Sequence, residues 1–156
     1  MKKVLVVMGS DSDLKVMEKC VDRLKSFDIP TEVRICSAHR TPAVAEQLAE
    51  NAAAEGFGVI IAAAGKAAHL GGVLAAYTTL PVIGVPMATS VMGGMDSLLS
   101  IVQMPKGIPV ATVAIDGADN AAILAAQMIA LSDDALAQKL AQFKADMAAE
   151  VTAKDE

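Results

Sequence analysis

Aromatic residues are scarce in this sequence, which contains three phenylalanines, one tyrosine and no tryptophan among 156 residues. Proteins that bind single-stranded nucleic acid stack bases on aromatic side chains, and flavin carriers surround their ring with them. Basic residues form no cluster, and the net charge is −5, so the chain lacks the positive stripe that polymeric nucleic acid requires. We therefore expect neither a flavin carrier nor a nucleic-acid partner.

Cysteine is equally scarce, and Cys20 and Cys36 lack the C-x-x-C spacing of redox and metal sites. A lone structural disulfide would be unusual in a cytosolic protein, so we expect both cysteines to be buried as small hydrophobic side chains. His39 and His69 are not spaced with Cys36 as zinc ligands are, and carboxylates do not cluster with them. The sequence therefore predicts no metal site.

Long apolar runs are absent as well. The longest covers residues 59–64, whereas a membrane-spanning helix needs about 20 residues. The first residues do not form a signal-peptide pattern, so we expect a cytoplasmic protein. Nevertheless 54% of the residues are hydrophobic, more than a small monomer easily buries, and this excess predicts large contacts between subunits.

Apolar runs of strand length alternate with segments of helical period, a pattern typical of βαβ units. The length fits a single α/β domain over residues 1–156, with a charged tail that frays from about residue 152. The predicted strands cover residues 3–8, 31–36, 58–63, 81–85 and 108–114. They predict a three-layer fold with an open parallel sheet in the flavodoxin-like order 2-1-3-4-5 and an extra C-terminal helix.

Helices are predicted between these strands and after the last one. Thr41 is a favourable N-cap before Pro42, and that helix should run to about residue 55. A short helix should begin near residue 96, and residues 132–134 should cap the last helix. In the predicted strand order, the turns after strands one, two and three meet at the carboxyl edge of the sheet, where such folds bind ligands.

The turn after strand one reads Gly-Ser-Asp-Ser-Asp over residues 9–13 and opens a predicted helix. A helix start favours an anion by about 0.3–1 kcal/mol. Ser10 and Ser12 would supply hydroxyl donors, and Asp13 would accept from ribose hydroxyls. The alternative is an ordinary capped helix start, since Ser and Asp are common caps and neither a Walker loop nor a G-x-G-x-x-G fingerprint is present.

The turn after strand two contains His39 and Arg40, following Ser37. Histidine exchanges protons near neutral pH, and arginine suits forked contact with phosphate or carboxylate. Alternatively, His39 is a loop histidine bonded to backbone, and Arg40 is solvated. The position of this turn, facing the candidate anion site after strand one, favours a functional role.

The turn after strand three combines small residues with His69. Its small residues, which include Gly65, Gly71, Gly72 and the neighbouring alanines, would let backbone approach a ligand closely. Lys66 is either a solvated charge or a second anion contact. The alternative for the whole turn is helix-sheet packing, with His69 as a hydrogen-bonded polar residue.

Five segments in chain order resemble the class I N5-carboxyaminoimidazole ribonucleotide mutases of purine biosynthesis. They are MGSDSD at 8–13, SAHRTP at 37–42, AGKAAHL at 64–70, PVIGVP at 81–86 and DSLLSIVQMP at 96–105. The resemblance implies conversion of N5-carboxyaminoimidazole ribonucleotide to 4-carboxy-5-aminoimidazole ribonucleotide. It also implies a homo-octamer that uses no cofactor and no metal.

The resemblance assigns roles to individual residues as well. His39 would be the general acid-base, and Gly65 and His69 would lie around the migrating carboxylate. The residues that would hold phosphate and ribose are Ser10, Ser12, Asp13, Ser37 and Arg40. Two positions depart from the family pattern: Lys66 replaces a small or uncharged residue, and Gly71 replaces a common proline.

Two other functions remain open from the sequence. A sister group with the same fold carboxylates aminoimidazole ribonucleotide directly with carbon dioxide, although the loop over residues 67–70 resembles the mutases. A non-catalytic nucleotide-binding module is the second alternative. A phosphorylated receiver domain is disfavoured, because it needs an aspartate after strand three, where this chain has Ala64 and Gly65.

Overall fold

One parallel sheet of five strands runs through the molecule in the computed structural model, which describes residues 1–155. The strand order is β2-β1-β3-β4-β5, which confirms the predicted order 2-1-3-4-5. The strands are β1 Lys3–Met8, β2 Thr31–Ile35, β3 Phe57–Ala64, β4 Val82–Pro86 and β5 Ala111–Thr112.

Six α-helices within residues 1–155 cover and extend this sheet. A three-residue 3-10 turn, Asp11–Asp13, precedes the first of them. The helices are α1 Leu14–Ser26, α2 Pro42–Ala52, α3 Leu70–Tyr77, α4 Met95–Val102, α5 Ala118–Ala130 and α6 Asp134–Lys154. Together they form the three-layer α/β fold with an additional C-terminal helix that the sequence predicts.

The register of the central strands places their carboxyl ends side by side. Met8 at the end of β1 pairs with Ile35 of β2 and with Ala63 of β3. Ala64 at the end of β3 pairs with Pro86 at the end of β4. The turns after these four strands therefore open at the same edge of the sheet.

Alternate residues of β1 enter two separate cores. Val4, Val6 and Met8 lie in the core that α1, α5 and α6 cover, while Leu5 and Val7 lie in the core beneath α2 and α3. The buried side of helix α5 consists mainly of alanine, whose small side chain takes up little space against the sheet. These fully buried alanines are Ala118, Ala121, Ala122, Ala125 and Ala126.

Both cysteines are buried and free, as predicted. Burial raises the pKa of the Cys20 thiol to about 12, so the thiol stays protonated at neutral pH. Cys36 follows β2, and its Sγ lies 3.5 Å from the Thr41 hydroxyl. Each acts as a small hydrophobic side chain of the core.

Two predicted elements are longer than the observed ones. The sequence predicts strand five over residues 108–114, but β5 contains only Ala111–Thr112, because this edge strand pairs with β4 at two positions alone. Pro109 lacks a backbone N–H and cannot extend the ladder toward the N-terminus. Helix α2 ends at Ala52 rather than near residue 55, and the chain then reverses at Gly56, whose φ is +93°.

Thr41 is the N-cap residue of α2 and Pro42 is the first helical residue, as predicted. The Thr41 side chain makes no capping hydrogen bond to the helix. The hydroxyl instead donates to the carbonyl oxygen of Ser37 at 2.8 Å, and thereby closes the preceding turn. The cap at the last helix is confirmed, because the Asp133 carboxylate accepts from the N–H of Leu136 at 2.9 Å.

The C-terminal region is helical through Lys154, which includes residues after 152 that the sequence predicts to fray. Glu156, the last residue of that predicted tail, lies outside the described residues. None of the helices built by residues 1–155 is both long and apolar enough to span a membrane.

Candidate active site

A cavity of about 500 Å³ opens at the carboxyl edge of the sheet. Its wall is formed by the turns that follow all five strands, so residues far apart in the chain share one space. The wall includes every residue that the sequence predicts for the site, namely Ser10, Ser12, Asp13, Ser37, His39, Arg40, Gly65 and His69. The predicted convergence is therefore present in the structure.

The first turn presents a cluster of hydroxyl groups. The chain forms a 3-10 turn at Asp11–Asp13, and the predicted helix follows it as α1 from Leu14. The Ser10 hydroxyl oxygen accepts from the Ser12 hydroxyl at 3.0 Å and from the Ser12 N–H at 3.3 Å. The Ser10 O–H in turn donates to Asp11 Oδ1 at 3.3 Å. Each hydroxyl has a single donor hydrogen, so both must rotate away from these contacts before they can donate to an anion in the cavity.

Asp13 adds a carboxylate to the same turn. Burial raises the pKa of Asp13 above its ordinary value, and the negative charges of Asp116 and Asp11 raise it further. The N–H of Ser10 acts in the opposite direction and lowers this pKa. A carboxylate with a raised pKa binds a proton more strongly, and it is a good hydrogen-bond acceptor for sugar hydroxyls.

The second turn is a tight hydrogen-bonded loop that projects His39 and Arg40 into the cavity. Thr41 N–H and Thr41 Oγ1 both donate to the Ser37 carbonyl oxygen at 2.8 Å. The Ser37 hydroxyl accepts from the Arg40 N–H at 3.1 Å. Among residues 1–155, no carboxylate forms an ion pair with Arg40, so its guanidinium is free to bind an anion.

The two histidines are in direct contact. His39 Nε2 lies 2.8 Å from His69 Nδ1, and the two rings are nearly perpendicular at 87°. One nitrogen donates and the other accepts, so one ring N–H is shared between the two residues. His39 is therefore not bonded to backbone as the alternative supposed, and it lies where a proton can move between two rings and a ligand.

The third turn approaches the loop after β4 very closely at Gly65. A Cβ atom on Gly65 would lie 3.3 Å from Thr89 Cγ2 and 3.6 Å from Met87 Cβ. Lys66 follows with a left-handed φ of +56°, and its side chain also lines the cavity. A side chain at residue 65 would therefore press on Thr89, and the glycine also leaves backbone exposed to a ligand.

The small residues farther along this segment have a different role from the one predicted. Gly71 and Gly72 belong to α3 and not to the ligand loop. A Cβ atom on Gly72 would lie 3.0 Å from Met104 Cε, so this glycine serves helix packing. Ala68 is buried in the core beneath α3.

The sequence prediction missed the walls that follow β4 and β5. Met87, Ala88 and Thr89 follow β4, and Asp116 follows β5. Asp116 Oδ1 accepts from the Ala88 N–H at 2.9 Å, which ties the two walls together. The strand order was the available signal, because it places the turns after strands four and five at the same edge as the first three.

Metal ligands do not assemble at this cavity or elsewhere in the described part of the chain. Residues 1–155 contain no group of three or more His, Cys, Asp or Glu side chains placed to hold a metal ion. The groups that the cavity offers are hydroxyls, one guanidinium, one ammonium, two imidazoles and two carboxylates. Such groups can bind an anion and a sugar and can transfer protons.

Residues 3–150 match the protein family described as AIR carboxylase. The chain belongs to the AIR carboxylase family. A relative of this family, the N5-carboxyaminoimidazole ribonucleotide mutase of Methanocaldococcus jannaschii, is 52% identical over 153 residues, which cover 98% of this chain and 95% of the relative. The N5-carboxyaminoimidazole ribonucleotide mutase of Thermotoga maritima is 52% identical over 154 residues, which cover 99% of this chain and 90% of the relative.

The AIR carboxylase family also contains relatives with a different name. The chloroplastic phosphoribosylaminoimidazole carboxylase of Vigna aconitifolia is 51% identical over 140 residues, which cover 90% of this chain and 25% of that protein. Sequence identity alone therefore does not separate the two named activities.

Solved structures agree with the assignment to the AIR carboxylase family. PurE of Treponema denticola superimposes with a TM-score of 0.89 at 30% identity, covering 97% of this chain and 95% of that one. A 3-dehydroquinate dehydratase-like protein of Bifidobacterium longum has a TM-score of 0.54 at 18% identity, and the match covers 83% of this chain and 99% of that one. The second likeness extends to the fold alone.

Proposed function

We propose that this chain is the mutase that converts N5-carboxyaminoimidazole ribonucleotide to 4-carboxy-5-aminoimidazole ribonucleotide, with His39 as its general acid-base. The observation that carries this proposal is the contact between His39 and His69 within a cavity that also holds hydroxyls and a free guanidinium. The family and the names of its close relatives support the same reaction.

The cavity wall provides complementary groups for each part of the substrate. Arg40 and the hydroxyls of Ser10, Ser12 and Ser37 bind the phosphate, because they are donors at the cavity. Arg40 is also a cation that pairs with no carboxylate of residues 1–155. Asp13 accepts from the ribose. The imidazole ring and its carboxylate then lie beside His39, His69 and the backbone of Gly65.

The reaction needs one proton shuttle. As the carbamate C–N bond breaks, carbon dioxide leaves, and the nitrogen takes a proton from His39. The electron-rich ring carbon then attacks carbon dioxide, and His39 removes the proton from that carbon, which restores its starting state. General acid-base help of this kind contributes about 10²–10⁴-fold to the rate.

His69 fixes the starting geometry of that shuttle. Its Nδ1 is 2.8 Å from His39 Nε2, so it orients the His39 ring before the ligand enters. Because the ring of the substrate is itself the nucleophile, no activated serine or cysteine, metal or cofactor takes part. Confinement of carbon dioxide between the alanine-rich third turn and the ligand adds to the rate through proximity.

A second candidate function is direct carboxylation of aminoimidazole ribonucleotide, which the name of the Vigna aconitifolia relative favours. Supplying each substrate separately to the purified protein distinguishes the two. We expect rapid turnover of the carbamate and little product from aminoimidazole ribonucleotide with bicarbonate. Turnover of the second substrate pair alone would assign the carboxylase reaction instead.

We further propose that the protein is a cytoplasmic homo-octamer. Support comes from an apolar surface that includes α4 and the turn before it. Its members are between 45% and 73% exposed in the single chain, and they are Val91, Met92, Met95, Leu99 and Val102. Burying these side chains between subunits would remove their exposed apolar surface from water.

A further inference from the structure

Asp116 lies on the cavity wall in a rigid and uncommon conformation. Its φ is +58°, in the left-handed region that residues with a Cβ atom rarely adopt. Its backbone N–H donates to the Pro86 carbonyl oxygen at 2.8 Å. Its Oδ1 accepts from the Ala88 N–H at 2.9 Å. Two hydrogen bonds therefore fix both the backbone and the side chain of this residue.

The other carboxylate oxygen of Asp116 has no such partner. Within residues 1–155, Oδ2 accepts no hydrogen bond, and the residue is exposed at the cavity. An ionised carboxylate can only accept hydrogen bonds. The fixed side chain therefore holds one free acceptor ready for a donor that enters the cavity.

The groups around Asp116 indicate what that donor is. Asp13 is the other carboxylate on the wall, and the negative charge of Asp116 helps to raise the pKa of Asp13, so the two carboxylates share the same region. A ribose presents two neighbouring hydroxyls, which are donors. Two carboxylates therefore match a sugar diol better than Asp13 alone does.

We propose that Asp116 binds a ribose hydroxyl of the substrate nucleotide through Oδ2, beside Asp13, while Oδ1 remains bonded to Ala88. This inference rests on the proposed function, because it requires a ribonucleotide in the cavity. It makes Asp116 a residue that distinguishes a phosphorylated sugar from a phosphate group alone.

The test compares binding of ribose 5-phosphate and of inorganic phosphate by calorimetry. In Asp116→Asn, the amide oxygen still accepts from Ala88, and asparagine tolerates the left-handed backbone, but an NH₂ group replaces the free oxygen. We expect this variant to bind ribose 5-phosphate at least about 10-fold more weakly, since a hydrogen bond to a charged acceptor is lost. Binding of inorganic phosphate should be unchanged or tighter, because a negative charge is removed.

Asp116→Gly is the matched variant, since glycine also adopts the left-handed backbone conformation. It removes the hydrogen bond to Ala88 as well as the proposed hydrogen bond to ribose. If Asp116 only positions the Ala88 loop, Asp116→Asn will bind ribose 5-phosphate like the wild type, and Asp116→Gly alone will bind it weakly. That result would overturn the inference and leave the proposed function standing. If the wild type binds neither probe, the proposed function itself fails.

Discussion

At the scale of single residues, the contact between His39 and His69 determines what the cavity can do. A lone loop histidine can exchange protons, but its ring can rotate away from a ligand. Here the second ring holds the first through a 2.8 Å hydrogen bond. The sequence indicated both histidines separately, and only the fold shows that they touch.

Replacing His39 by asparagine tests its proposed role. Asparagine is neutral at all relevant pH values, so the variant should bind the product nucleotide with near wild-type affinity and lose about 10²–10⁴-fold in kcat. Product affinity is measured by calorimetry and kcat with the carbamate substrate. Full activity of this variant would show that another group moves the proton.

Asp13 provides a second test at this scale, through the dependence of stability on pH. Burial raises the pKa of Asp13 in the folded protein above its ordinary value of 3.8. The unfolded state has the ordinary pKa of 3.8, and the folded state has the raised one. Between these two pKa values the folded state binds more protons than the unfolded state. The free energy of unfolding therefore falls as pH rises from the lower value to the higher one, and it stays lowered above both.

Asp13→Asn removes this loss of stability, because asparagine does not ionise. The variant should unfold at a higher temperature than the wild type at pH 7, and the gain should disappear below about pH 3.8, where both side chains are neutral in both states. It should also bind the nucleotide more weakly, because an acceptor for ribose is lost. Thermal unfolding at several pH values checks the first result. An equal gain at pH 7 and pH 3 would contradict the account.

At the scale of elements, helix α4 packs on β4 because Gly84 has no side chain. A Cβ atom there would lie 2.3 Å from Ile101 Cγ2, so Gly84→Ala should lower the free energy of unfolding by about 1–3 kcal/mol through overpacking. Gly71→Ala in α3 is the control, since the nearest atom to its Cβ would be 3.7 Å away. Denaturant titration measures both.

The control variant should be neutral or slightly more stable, because alanine is a better helix former than glycine. In the double variant with Ile101→Ala, the clash with Ile101 Cγ2 is removed and the 3.1 Å approach to Val110 Cγ1 remains. Gly84→Ala should therefore cost less there than in the wild type. If Gly84→Ala and Gly71→Ala have the same stability, the packing explanation is wrong.

Elements with strong local signals could be predicted from the sequence. The bounds of β1 are those expected, because an apolar run is followed directly by a Gly-Ser-Asp turn. The length of β5 could not be predicted, since an edge strand pairs with only one neighbour and its extent depends on tertiary contacts. The sequence pattern places Gly71 and Gly72 in the ligand loop, but both belong to α3. The start of α3 could not be predicted, because it depends on packing against β3 and Met104.

At the scale of the whole molecule, the strand order creates the site. It places five turns at one edge, and this rule predicts the contributions of the first three turns before any coordinates are known. The same rule applies to Thr89 and Asp116, which were missed because a single Thr or Asp in a turn has no distinctive local pattern. Their importance depends on contacts with Gly65 and Ala88 that only the folded chain reveals.

Assembly is a separate prediction at this scale. Leu99 is 49% exposed on α4 in the single chain, so Leu99→Asp should break the proposed octamer by placing a charge in an apolar interface. Light scattering should give the mass of eight 16.0 kDa chains for the wild type and a smaller species for the variant. A wild-type mass equal to that of one chain would exclude the octamer.

The central claim is that one cavity binds the nucleotide with its phosphate at the first two turns and its carboxylate at the histidines. A crystal structure with bound 4-carboxy-5-aminoimidazole ribonucleotide tests it most directly. The phosphate should lie within hydrogen-bond distance of Ser10 and Arg40, and the ring carbon that bears the carboxylate should face His39. A nucleotide bound at another face of the molecule, or with its ring turned away from His39, would contradict the account.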